Sequence, residues 1–109
     1  MQRLVRLVAE DDKTRKEKII FHLIVDGEKM IHQEMLGYLD SEGVKYPMVV
    51  KFPLKPGDTE QVVDFGGCCE DTASVNLFSR NIKIDEYFTF KENGVEYTYQ
   101  IKHLTDMIK

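Results

Sequence analysis

Asn93-Gly94 lies between two runs, Glu86 to Glu92 and Val95 to Lys102, that alternate apolar and polar residues almost without a break. Asn-Gly readily takes positive φ at both central positions of a type I′ turn, so a two-residue loop sets the register of a β-hairpin. Opposed residues then have numbers that sum to 187, which places Phe90 against Tyr97 and Phe88 against Tyr99, with Val95 and Ile101 on the same side. The other side pairs Thr89 with Thr98, Lys91 with Glu96 and Tyr87 with Gln100, a polar face whose one ion pair contributes a fraction of a kcal/mol in solvent.

The rest of the chain reads mostly as further strands. Ile19 to Val25 is apolar on both faces and rich in β-branched residues, as expected of a strand in mid-sheet. Arg3 to Ala9 reads as its partner strand, a short helical face being the alternative. Between them Glu10 to Lys18 is nine residues, eight of them charged, and reads as a solvated link. Tyr46 to Phe52 is a strand fenced by Pro47 and Pro53, which places it at an edge. Lys55-Pro56-Gly57-Asp58 reads as a type II turn that puts Met48, Val50 and Phe52 on one inward face with Val63 and Phe65. Ser74 to Phe78, with Ile82 and Ile84, reads as one or two short strands, and Lys102 to Lys109 as a closing turn of helix.

Asp26-Gly27 leaves a choice. As a hairpin turn in unbroken register it would set Glu28, His32 and Glu34 on the face of Val25, Phe21 and Ile19. A helix from about Glu28 to Ser41 instead gathers Ile31, Met35, Tyr38 and Leu39 in one arc, with Asp26 as N-cap and Gly43 at the stop, and is the preferred reading. The expected class is therefore α+β, mostly β. It is an antiparallel sheet curled into a half-barrel or small sandwich, with one helix at 28–41 packed on it, in a single domain of residues 1–109.

At 109 residues such a domain buries roughly 60–70% of its unfolded surface, so it needs no metal or disulfide to hold it. A net charge of −4 argues against a nucleic-acid backbone as partner, and no apolar run approaches the ~20 residues that span a bilayer. Cys68 and Cys69 are adjacent, a spacing that strains a disulfide, and they read as free thiols in a reducing, cytoplasmic setting.

No catalytic, metal or nucleotide motif emerges. Tyr87, Phe88, Phe90, Tyr97 and Tyr99 hold five of the eleven Phe and Tyr residues. Aromatics on a sheet can stack bases, yet their companions Glu86, Glu92 and Glu96 are acidic, so a core face under a helix is the simpler reading. The segment Asp64 to Asp71 brings paired glycines and two thiols beside acids that would raise a cysteine pKa, so an inert turn outweighs a nucleophile there. The three histidines and two cysteines show no metal-ligand spacing, and no cofactor is called for. His22, inside an apolar strand, reads as a hydrogen-bonded core or interface residue.

The expectation is a binding or interaction protein acting through a sheet surface or a small apolar pocket, as a homodimer built on an unpaired sheet edge. Its partner would be another protein or a small apolar ligand. Candidate ligand contacts are His22, Asp64, Phe88, Phe90, Tyr97 and Tyr99. The alternatives are a small enzyme using a carboxylate such as Glu34 or Asp64 with His22 or His32, and a redox or metal sensor using Cys68 and Cys69.

Overall fold

In the computed structural model, which describes residues 2–13, 16–31, 34–51, 60–66 and 73–107, the chain is an antiparallel β-barrel. The strands are β1 (Gln2–Asp11), β2 (Glu17–Asp26), β3 (Lys29–Met30), β4 (Met35–Ser41), β5 (Val44–Val50), β6 (Gln61–Asp64), β7 (Ala73–Val75), β8 (Tyr87–Glu92) and β9 (Val95–Asp106). Each pairs with its neighbour in the chain, β3 being a short addition to β2, and β1 pairs with both β2 and β9, which closes a ring of eight. Closure leaves no open sheet edge at β1 or β9, so a partner surface must lie on a face or an end of the barrel.

The β8–β9 hairpin has the register that Asn93-Gly94 dictates: Phe88 opposes Tyr99, Phe90 opposes Tyr97, and Asn93 and Gly94 have φ of 51° and 84°. Lys91 Nζ lies 3.7 Å from Glu96. Met48, Val50 and Val63 share the interior as the alternation of their strands requires. Pro47 lies beyond the two residue pairs, Val49–Asp64 and Val50–Val63, that join β5 to β6. The Lys55–Asp58 turn and Phe52 lie outside the described residues.

The expected helix at 28–41 is not there; among the described residues the fold is all-β, neither an α+β half-barrel nor a sandwich. Gly27 and Glu28 form the two-residue loop after β2, with Gly27 at φ 66° in the first central position, as a II′ turn requires. Met30 then opposes Val25 and points inward. The β2–β3 pairs reach Val25–Met30, and β4 pairs with β2 in a register shifted from theirs by three, with Leu39 opposite Ile19 and Gly37 opposite Phe21. A shift by an odd number flips parity, so Met30, Met35 and Leu39 all face the core while Glu34 stays exposed. An unbroken register had made the hairpin look wasteful and the helix attractive. Glu42-Gly43, with φ of 52° and 90°, is the I′ loop of the next hairpin and not a helix stop.

A second irregularity replaces the expected C-terminal helical turn. The β1–β9 ladder shifts between Val8/His103 and Ala9/Ile101, leaving Lys102 as the extra residue of a bulge. Beyond it β9 runs on to Asp106, and Leu104 opposes Leu7 and packs on the core. Leu77–Ser79 is one turn of 3₁₀ helix where a strand was expected, and Ile82, in the following turn, is buried. The Ile82 N–H donates to the Glu28 carbonyl, tying this segment to the β2–β3 turn and covering one end of the barrel.

Eight-stranded barrels are just wide enough for side chains to fill or for one small ligand. Here Phe21, Phe88, Tyr99 and Phe90 form a contiguous aromatic column, with ring centroids 6.3, 5.9 and 6.1 Å apart in turn. Among the described residues Asp11 and Gln61 are the buried polar ones, and Gln61 lies within the core. Its Oε1 accepts the Phe78 N–H at 3.1 Å, while its Nε2 has no partner among the described residues, at a cost of about 1–3 kcal/mol. The radius of gyration, 13.0 Å, is that of a compact chain of this length.

Candidate functional site

The end of the barrel opposite Ile82 is its mouth. Alternation carries the inward faces of β1 and β2 past the apolar core to Asp11 and Glu17, two positions beyond Ala9 and Ile19 respectively. Ladder pairing sets Asp11 opposite Tyr99 and Glu17 opposite Ser41. The Tyr99 hydroxyl donates to Glu17 Oε2 at 3.1 Å, and the Ser41 hydroxyl approaches Glu17 Oε1 at 3.4 Å. Asp11 Oδ1 accepts the Lys13 N–H at 2.8 Å, which turns the chain out of β1. Above these groups lies a cleft of about 320 Å³ lined by Asp11, Lys13, Glu17, Val95, Glu96, Tyr97 and Thr98. Tyr97 is 39% exposed, whereas Tyr99, two residues on, is 1% exposed, so the face passes from core to solvent within this span.

Burial pushes the Tyr99 phenol well above its ordinary value, and the negative charge of Glu17, its hydrogen bond to Glu17, and the charges of Asp11 and Glu92 act in the same direction. A neutral phenol is held in the folded state at pH values where the unfolded chain has lost that proton. Stability contributed by Tyr99 is therefore complete below pH ~10 and declines as pH rises beyond it. Tyr99→Phe is expected to flatten that alkaline decline, measured as urea midpoints between pH 8 and 11; an identical decline in both proteins would refute it.

The candidate contacts inferred from sequence separate into three places. Phe88, Phe90 and Tyr99 come together in the core column, and Tyr97 stands over it at the mouth. His22 is on the outer face, where its Nε2 lies 3.3 Å from Arg6 Nη1. Asp64 is three strands away from it around the ring, accepting the Gly66 N–H at 2.7 Å, and Glu34 lies 3.5 Å from Lys51 Nζ on the exterior. No described distance joins a histidine to a carboxylate in the manner the enzymatic alternative needs. His32, Cys68 and Cys69 lie outside the described residues, and among the described residues no three His, Cys, Asp or Glu side chains are grouped as metal ligands.

Asp11, Glu17 and Ser41 were missed from sequence. Eight charges in nine residues masked the two that continue strand alternation, though stepping by two from Ile19 to Glu17 and from Ala9 to Asp11 finds them. Ser41 was assigned to the end of a helix. No helix among the described residues is long and apolar enough to cross a membrane. In comparisons with known families, curated proteins and solved structures, no match was found.

Proposed function

We propose that this is a small-ligand-binding protein whose barrel mouth receives an organic cation with an apolar body. The reading rests on one observation: a carboxylate, Glu17, is held in place by the hydroxyls of buried Tyr99 and of Ser41 at the floor of a cleft whose wall includes Val95 and Tyr97. Two hydroxyls orient the carboxylate without neutralising it, so it remains an acceptor for an ammonium group. Tyr97 offers a ring face to the same cation, and Val95 an apolar contact. Among the described residues that line the cleft are three carboxylates, Asp11, Glu17 and Glu96, the last 3.7 Å from Lys91, and one lysine, Lys13, a balance that favours cations. The protein works in a reducing compartment on this reading, the setting in which adjacent Cys68 and Cys69 stay thiols.

Isothermal titration with benzylamine, the neutral isostere benzyl alcohol and the anion phenylacetate tests the proposal. Benzylamine is expected to bind most tightly, and Glu17→Gln to weaken it at least tenfold, about 1.4 kcal/mol. Equal binding of all three probes, or an unchanged affinity in Glu17→Gln, would refute the assignment.

A further inference from the structure

The outer face of the β1–β2–β4–β5 arc is a second surface, independent of the mouth. Strand register sets Arg6, His22, Leu36 and Val49 opposite one another in a single row across four strands. The adjacent row is Val8, Ile20, Tyr38 and Pro47, and on the other side Leu4 opposes Ile24. Outward positions of an antiparallel sheet that packs one face on a core are ordinarily polar. In these rows they are mostly apolar, with Ile20 buried and Leu36 61% exposed, while the next outward row, Glu10, Lys18, Asp40 and Lys45, is charged.

Arg6 stands among them half-buried. Its Nη1 contacts His22 Nε2 at 3.3 Å and its Nη2 donates to the Tyr38 hydroxyl at 3.0 Å. A guanidinium can only donate, so the first contact requires a neutral His22 with its ring proton on Nδ1. No carboxylate pairs with Arg6 among the described ion pairs. The fork is thus oriented by two neutral groups and retains donors for an incoming anion, the geometry in which arginine binds carboxylates bidentately.

Beside this row, between β4, β5 and β6, lies a groove of about 380 Å³ lined in part by Leu36, Pro47, Val49, Phe65 and Asp64. We propose that the face docks an extended acidic segment of a partner protein, its carboxylate on Arg6 and an apolar side chain over Leu36 in the groove. Arg6 and Leu36 are two strand spacings apart, about 10 Å, which a segment in the extended polyproline II conformation covers in three residues with the first and fourth side chains on the same face. The recognised pattern is therefore an acid followed or preceded, three positions away, by an apolar residue. Asp64 at the far side of the groove repels a second acid and directs the carboxylate towards β1. A second copy of the chain meeting this face with the two-fold axis near Arg6 would set the two guanidinium groups side by side, which disfavours that arrangement.

The probes are two peptides, acetyl-Glu-Ser-Ser-Leu-amide and its Gln counterpart, titrated into the whole protein and followed by amide NMR. The acidic peptide is expected to bind at least tenfold more tightly, shifting resonances of Leu36, Ile24 and Val49. Arg6→Gln should abolish that advantage, its folded state verified by spectral dispersion, and Leu36→Ser, at an exposed site, should weaken both peptides alike. Equal affinities, no binding, or shifts confined to the barrel mouth would overturn the proposal. So would concentration-dependent self-association through this face without peptide, which would give the surface to a second copy.

Discussion

Gly37→Ala is expected to cost upward of about 3 kcal/mol, or to prevent folding, even though it adds a single methyl group. A Cβ at this position would fall on the Ile20 carbonyl oxygen and 2.8 Å from Phe21 Cδ1. Neither neighbour can give way. The Ile20 carbonyl belongs to the β2–β4 ladder, in which Ile20 opposes Tyr38 and Phe21 opposes Gly37, and the Phe21 ring is held from behind by Phe88. A barrel of this size turns sharply between adjacent strands, and glycine allows the backbone to approach an aromatic ring where any side chain would stand between them. Total stability for a domain of this size is about 5–15 kcal/mol, so the loss would be visible as a large fall in the denaturant midpoint. Gly94→Ala is the control. Its Cβ meets nothing within 4 Å, and only its φ of 84° opposes the change, at about 1–2 kcal/mol. A Gly37→Ala midpoint no lower than that of Gly94→Ala would show that the close approach is not a constraint on the fold.

Phe88→Ala is the second large effect, about 3–5 kcal/mol. The ring is completely buried between Phe21 and Tyr99, tilted against one and stacked on the other, so truncation leaves a void in mid-column that the ladders on both sides prevent from collapsing. Tyr97→Ala, on the same hairpin face, should cost under about 1 kcal/mol because the ring is already half in solvent. The pair of measurements separates the two roles that one aromatic face plays. Comparable losses at both positions would mean that Tyr97 is core, and the mouth reading would lose the ring it uses to meet a cation.

Much of what the chain carries locally was legible. Asn93-Gly94 specified a turn type, and the turn type specified six residue pairs, because the forces involved act within a few residues of the loop. The inward set of Met48, Val50 and Val63 followed from alternation alone. The helix at 28–41 is absent for a reason that alternation cannot reveal: the register on β2 shifts by three between β3 and β4 and reverses which parity faces inward, so a sequence that alternates on either side of the shift mimics a helical arc across it. Asp26-Gly27 did signal a hairpin, one whose loop is Gly27-Glu28.

The candidate site was less legible than the fold. Tyr97 and Tyr99 were singled out, yet the carboxylate that gives them a chemical meaning lies 82 residues from Tyr99 in the chain and was hidden in a run of charges. His22 was read as a hydrogen-bonded core or interface residue, and it is half-buried and contacts Arg6 on the outer face. Nothing in these segments announces that His22 and Tyr38 flank one guanidinium, that of Arg6, since their proximity depends on the registers of two separate strand pairs.

By itself, then, the sequence determined the elements whose register a turn can set: the final hairpin, its two faces, and the alternating strands that precede it. Only the tertiary structure decided that the first strand closes on the last, that a bulge at Lys102 brings Leu104 onto Leu7, and that Glu17 arrives beneath Tyr97. Turn chemistry is local and acts whatever the rest of the chain does. Ring closure is a global condition, met only when every register and every bulge around the barrel adds up to one shear, and no single segment contains that sum.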